Sequence, residues 1–197
     1  MNSQRRRSDR PLQFLRGFLK NPKEVGSVIP SSRFLTRRVL QCGDAASARV
    51  IVELGPGTGV LTREILELMP EDGKLIAVEL LPEFVDLLHR SYPDPRLTLY
   101  NGSSADLEKA LAEAGEAQAD LVVSGIPFST MERGEGRRTL EAAKRVLAPG
   151  GRFVAYQFRS AVRRMAEPVF GPAETRSGFW NLPPMRIYTF RRDTTPA

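Results

Sequence analysis

Two acids and three glycines carry the clearest chemical signal in this chain. Glu53 ends the apolar run Val50-Ile51-Val52, and Gly55, Gly57 and Gly59 follow it two residues apart in Gly55-Pro56-Gly57-Thr58-Gly59. Glycines can take backbone angles closed to other residues, and without a Cβ they let a ligand lie against the main chain. A nucleotide-like group suits such a turn. The spacing is G-x-G-x-G, not the G-x-G-x-x-G that leads a helix onto a dinucleotide pyrophosphate, which argues against a nicotinamide dinucleotide. The second acid, Glu79, closes the run Leu75-Ile76-Ala77-Val78, twenty residues beyond Gly59. At the tip of a second strand it is placed to accept hydrogen bonds from a ribose diol.

Holding these groups together takes an α/β sheet with strands and helices in alternation. The pattern predicts a helix over Arg33 to Gln41 with Phe34, Leu35 and Val39 inward, a strand to Leu54 and a helix from Val60. After the strand ending at Glu79 come a helix from Pro82 to Ser91, a strand over Arg96 to Tyr100, and Asn101-Gly102-Ser103-Ser104 at that strand's carboxyl end, where open sheets bind ligands. A helix over Leu107 to Ala114 leads to a strand over Ala119 to Val123, which ends in Ser124-Gly125-Ile126-Pro127-Phe128. A helix over Arg137 to Leu147, a turn at Pro149-Gly150-Gly151, a strand over Arg152 to Gln157 and a short helix over Arg159 to Ala166 follow. Strands over Pro168 to Trp180 and Met185 to Arg191 then form a C-terminal hairpin through Asn181-Leu182-Pro183-Pro184. The result is a seven-stranded, mostly parallel sheet.

At 197 residues the chain suits one such domain, over 33–197, with an N-terminal arm over 1–32. Charge marks the arm. Residues 1–49 hold eleven Lys and Arg against Asp9, Glu24 and Asp44, a net of +8, and the remainder nets −2. A basic arm on a near-neutral domain suggests docking onto something anionic, phosphates or lipid headgroups. Within the arm Leu12, Phe14, Leu15, Phe18 and Leu19 fall in a helical arc of roughly 160°, with Arg16 and Lys20 opposite. That stripe suits either a membrane interface or the surface of the domain itself. It is too short to span a bilayer. One cysteine, Cys42, excludes an intrachain disulfide, fits a reducing compartment and reads as a small buried residue; with His89 the only histidine, no metal site is expected.

The strand and turn from Glu53 to Gly59, with the acid after Val78, resemble the first two motifs of class I S-adenosylmethionine-dependent methyltransferases. The resemblance implies a Rossmann-like fold and a cofactor site made of Glu53, Gly55, Pro56, Gly57, Thr58, Gly59, Glu79, Leu80, Asn101, Gly102, Ser103 and Ser124. In it the glycines line the methionine portion, Glu79 holds the ribose, and Asn101 to Ser104 faces the adenine without the Asp often found there.

Ser124-Gly125-Ile126-Pro127-Phe128 resembles the N-L-P-Y motif of enzymes that methylate nitrogen, with Ser in place of Asn and Phe in place of Tyr. Two families share the Glu53 to Thr62 start. The rRNA adenine dimethyltransferases add a Gln-rich segment before the first strand and a C-terminal helical domain, neither of which this sequence shows. The bacterial phospholipid N-methyltransferases match further, through Val25-Gly26-Ser27-Val28-Ile29-Pro30-Ser31-Ser32, Ser124-Gly125-Ile126-Pro127 and Arg176-Ser177-Gly178-Phe179-Trp180-Asn181-Leu182-Pro183-Pro184. That resemblance implies methylation of phosphatidylethanolamine towards phosphatidylcholine by a cytoplasmic protein attached to the inner membrane face; another lipid amine, such as an aminoacyl lipid, fits the same features, and nucleic acid is the partner only in the alternative family. Ser124, Pro127 and Tyr156 are then the candidate catalytic residues. A headgroup gaining methyls is a soft cation that aromatic faces attract, which makes Phe128, Tyr156, Phe179 and Trp180 candidates to receive it. Arg176 and Arg186 suit a lipid phosphate or a solvated surface equally.

Overall fold

The computed structural model describes residues 33–129, 131, 133–157, 160–178 and 185–194. The expected arm helix, with Leu12, Phe14, Leu15, Arg16, Phe18, Leu19 and Lys20, lies outside them, as do Phe179, Trp180 and the Asn181 to Pro184 connection. The elements run α1 (Arg33–Gly43), β1 (Val50–Leu54), α2 (Val60–Leu68), β2 (Lys74–Glu79), α3 (Pro82–Ser91), β3 (Leu97–Asn101), α4 (Leu107–Glu113), β4 (Ala119–Ser124), α5 (Arg133–Val146), β5 (Leu147–Gln157), α6 (Ala161–Phe170), β6 (Glu174–Gly178) and β7 (Met185–Arg191).

The strands form one seven-stranded sheet in the order β3-β2-β1-β4-β5-β7-β6. β1 to β5 are parallel, and β7 runs antiparallel to both β5 and β6. Because side chains alternate across a strand, the sheet builds two cores. Val52, Ile76, Val122 and Phe153 face α4, α5 and α6, where Leu111, Leu140 and Val162 meet them. Ile51, Leu75, Val123 and Val154 face α1 and α2, where Leu35, Val39 and Ile65 meet them. The order of the strands reverses between β1 and β4, and open α/β sheets bind ligands at such a point, outside the carboxyl ends of the strands.

Three boundaries differ from the sequence pattern. α5 starts four residues early, at Arg133, where Gly134 and Gly136 weaken the helical signal. Gly136 lets α5 pack closely: a Cβ there would stand 3.2 Å from Met165 Sδ and 3.4 Å from Phe128 Cδ1. α6 runs through Pro168 to Phe170 instead of giving way to a strand at Pro168. Its stripe Val162, Ala166, Phe170 is buried in the core, and Pro168 falls in the last turn, where few helical hydrogen bonds remain to be lost. The Pro149 to Gly151 turn is a bulge inside β5, since the register passes from Ala119 opposite Leu147 to Leu121 opposite Arg152. Phe34, expected inward, is 54% exposed, and Cys42, expected buried, is half-buried.

Candidate active site

The loops after β1 and β4 are each tied to a neighbouring strand. Gly55 N–H donates to the Val78 carbonyl at 3.0 Å, and Gly125 N–H donates to the Leu54 carbonyl at 3.0 Å. Gly55, Gly57 and Gly59 all take left-handed angles, φ 69°, 57° and 81°, yet they are glycine for different reasons. A Cβ on Gly55 would meet Ile126 Cγ1 at 2.9 Å, and one on Gly59 would meet Tyr92 Cε2 at 2.4 Å and Leu88 Cδ2 at 2.7 Å. The protein's own packing fills those two places. A Cβ on Gly57 would meet nothing within 4 Å. Only this central glycine opens onto space that a ligand can use.

The two acids take separate roles. Glu79 Oε2 accepts the Gly57 N–H at 3.1 Å and its Oε1 accepts the Leu81 N–H at 3.0 Å, so the tip of β2 is tied to the glycine that faces the cradle. A carboxylate has about four acceptor sites, so these bonds leave acceptor capacity for a diol. Burial pushes the Glu79 carboxyl up, against the pull of the backbone N–H groups of Leu81, Gly57 and Leu80. Glu53, expected to line the cofactor, points inward instead. It is 1% exposed and accepts a 2.7 Å hydrogen bond from Thr62 Oγ1, so it braces the first turn of α2 from beneath the loop. Burial raises its carboxyl to about 8. Pro56 is also buried, and Thr58 is exposed.

On the adenine side, Leu80 is 53% exposed beside Glu79. Asn101 turns its amide back onto the Glu79 and Leu80 carbonyls, at 2.9 and 3.2 Å, and Ser103 Oγ accepts the Ala105 N–H at 3.2 Å. Gly102 N–H donates to the Glu79 carbonyl at 3.0 Å. The polar groups of this segment thus secure the end of β2.

On the acceptor side, the Ser124 side chain is fully buried and its hydroxyl accepts the Ile126 N–H at 3.3 Å. Gln157 Nε2 donates to the Ile126 carbonyl at 2.7 Å. Pro127 is exposed. The Tyr156 hydroxyl stands 3.3 Å from where a Gly125 Cβ would be, which brings the end of β5 over the end of β4. Phe128 corrects the expectation that it offers a face to a headgroup. It is 1% exposed, packed edge-on to Phe153 at 6.3 Å and 87°, because its loop turns back towards α5. Arg176 and Arg186 are both exposed, but they stand on opposite faces. Arg176 is opposite Ile187, whereas Arg186 is opposite Ser177.

Three residues shape the site through contacts that the sequence pattern does not show. Tyr92 donates its hydroxyl to the Gly59 carbonyl at 2.8 Å, the same carbonyl that accepts the Arg63 N–H at 3.0 Å at the start of α2. Thr62 and Gln157 hold Glu53 and Ile126. Their partners are distant in sequence, so only the folded chain reveals them.

The fold and the cradle agree with comparison to known proteins. Residues 51–151 match the methyltransferase domain family. The chain belongs to that family. Over 184 residues it is 33% identical to an ornithine lipid N-methyltransferase of Singulisphaera acidiphila, covering 90% of this chain and 94% of the relative. A ribosomal RNA small subunit methyltransferase A of Chlorobium luteolum is 34% identical over 107 residues, which cover 54% of this chain and 37% of that protein. Among solved structures, the N-methyltransferase NodS of Bradyrhizobium japonicum in complex with S-adenosylhomocysteine superposes with TM-score 0.70 at 16% identity, over 91% of this chain and 97% of NodS. The O-methyltransferase TomG of Streptomyces achromogenes, in complex with S-adenosylmethionine, gives 0.66 at 17% identity over 93% of this chain and 90% of TomG. This methyltransferase is S-adenosylmethionine-dependent, of class I fold, and resembles the bacterial lipid N-methyltransferases. The open side of Gly57 and the remaining acceptor sites of Glu79 fit that cofactor.

Proposed function

We propose that this methyltransferase transfers methyl groups to the amine of a membrane lipid headgroup. One observation carries the reading: the ornithine lipid N-methyltransferase aligns along nearly the whole chain, whereas the rRNA relative aligns over about half of it. The motif resemblance names phosphatidylethanolamine as acceptor and the relative names an ornithine lipid. Both present a primary amine beside an anionic group.

S-adenosylmethionine supplies an electrophilic methyl group when bound. The chain's own task is then alignment and exclusion of water, because an in-line displacement gains most from a fixed approach. Gly57 and Glu79 fix the donor side. The Ile126 carbonyl, Tyr156 and exposed Pro127 surround the place where an amine would enter, and Tyr156 stands there to accept a hydrogen bond or a proton relayed through water. Among the described residues no helix is long and apolar enough to cross a membrane. Attachment at the inner membrane face falls to the arm, through Leu12, Phe14, Leu15, Phe18 and Leu19 with Arg16 and Lys20. Deletion of residues 1–20 should abolish sedimentation with anionic vesicles and leave cofactor affinity intact; sedimentation that survives would remove the arm from the reading.

The deciding experiment offers the protein S-adenosylmethionine carrying a labelled methyl, with vesicles of phosphatidylethanolamine, vesicles of ornithine lipid, or small-subunit ribosomal RNA. The reading requires label in a lipid extract. Label confined to RNA would transfer the protein to the adenine-methylating alternative.

A further inference from the structure

Two guanidinium groups, Arg38 on α1 and Arg176 on the edge strand β6, share one side of the sheet with one carboxylate, Glu174, which is paired elsewhere. β7 sorts the faces: Ile187 belongs to the core under α1 and α2, while Tyr188 belongs to the core under α5 and α6. Directly opposed residues of an antiparallel pair point to the same face. Tyr156 opposite Ile187, and Ile187 opposite Arg176, therefore make one row on the α1 side. Arg186 lies one residue on along β7, on the other side.

α1 lies on this face, packed against β5 and β7. On it Phe34, Arg38 and Cys42 recur every four residues, which aligns them in one stripe. Leu35, Val39 and Leu40 are buried beneath. Burial pushes the Cys42 thiol up; Arg176 and Arg38 oppose that push and Glu174 adds to it. α1 packs on β5 and β7, and β6 pairs with β7, so the stripe and Arg176 lie on one face of the sheet. The neighbouring acid, Glu174, is paired with Arg191 at 3.3 Å. Arg33 and Arg37 of α1 are taken up by Glu64, at 2.9 and 3.2 Å. Among the described residues Arg38 and Arg176 have no ion-pair partner.

We propose that Arg38 and Arg176 together bind the anionic group of the acceptor headgroup, on the α1 side of the sheet, while its amine lies at Tyr156 and Gly125. The inference rests on the lipid-amine reading and adds a direction to it. With strands about 4.8 Å apart, Arg176 stands roughly 10 Å from Tyr156 at the backbone, and side-chain reach shortens that to the span of an amine and a phosphate or carboxylate within one headgroup. Two guanidinium forks provide planar, charge-assisted recognition of either oxyanion. Phe34 at the outer end of the stripe is placed to meet the chain region of the same lipid. Arg186, on the far face, takes no part.

Initial rates of the full-length protein on phosphatidylethanolamine or ornithine lipid, each diluted in neutral phosphatidylcholine vesicles, test this. Arg38→Ala and Arg176→Ala should each raise KM for the lipid about tenfold with kcat and cofactor affinity little changed, the loss expected for a charge-assisted bond. Arg176→Lys should keep part of the effect as a point charge, and Arg186→Ala should match the wild type. Cys42, the only cysteine, serves as a reporter independent of turnover: acceptor vesicles should slow its alkylation by a maleimide in the wild type and not in the Arg38→Ala, Arg176→Ala double variant. A KM effect on phosphatidylethanolamine assigns the pair to a phosphate, and one on ornithine lipid assigns it to a carboxylate. Equal KM values in wild type and both alanine variants, with the wild type active on lipid, would overturn the proposal, as would an equal loss in Arg186→Ala. A wild type that labels neither lipid defeats the lipid reading itself, and this inference with it.

Discussion

Gly57→Ala separates cofactor binding from folding more cleanly than any other change at the glycine turn. The added methyl has no neighbour within 4 Å, so the fold pays only for an alanine at φ +57°, about 1–2 kcal/mol. In a protein of this size each kcal/mol lowers Tm by about 2–4 °C, which puts the shift at roughly 2–8 °C. The same methyl occupies the cradle, and overpacking of about 1–3 kcal/mol weakens the cofactor roughly tenfold to a hundredfold. Gly59→Ala is the control. Its methyl would lie 2.4 Å from the Tyr92 ring, so it adds overpacking of about 1–3 kcal/mol to the backbone strain and should melt well below Gly57→Ala. Calorimetric titration with S-adenosylhomocysteine and differential scanning calorimetry on both proteins give the answer. A Gly57→Ala protein that melts in its window and binds the ligand with wild-type affinity would refute the assignment of the cradle.

Other expectations follow from the buried groups. Glu53 has its folded carboxyl raised from 4.5 to about 8, so the fold favours the protonated form; the stability this gives is full below about pH 4.5 and is lost as pH rises towards about 8, at up to about 1.4 kcal/mol per unit. Glu53→Gln should flatten the fall of Tm between about pH 5 and 8, with Glu79, also raised, leaving a residual slope; a slope equal to the wild type would show that Glu53 is not the group responsible. Tyr92→Phe removes the hydroxyl from the Gly59 carbonyl but keeps the ring, and should weaken S-adenosylhomocysteine several-fold with about 1 kcal/mol or less lost from stability. Unchanged affinity in a titration would reduce Tyr92 to a packing residue.

The parallel strands and the glycine turn were legible because each obeys a local rule: an apolar run, then residues able to take positive φ. The turn alone did not reveal which glycine faces the ligand. That depends on Ile126, Leu88 and Tyr92 arriving from other elements. Glu53 and Phe128 misled for the same reason, since a residue at the end of a strand can point to the crevice or to the core, and only packing on Thr62 or Phe153 decides. Pro168 reads in the sequence as the start of a strand, but the stripe from Val162 to Phe170 carries the helix through it. Arg176 and Arg186 looked equivalent in sequence, and the register of β6 on β7 places them on opposite faces.

Mass spectrometry of the lipid product tests the central claim most directly. Full-length protein with S-adenosylmethionine and vesicles of phosphatidylethanolamine or ornithine lipid should yield headgroup fragments heavier by successive methylene units, with unaltered acyl chains and with the gain much reduced in Gly57→Ala at limiting S-adenosylmethionine. Unmodified headgroups, alongside methylated adenines in a parallel incubation with ribosomal RNA, would contradict it.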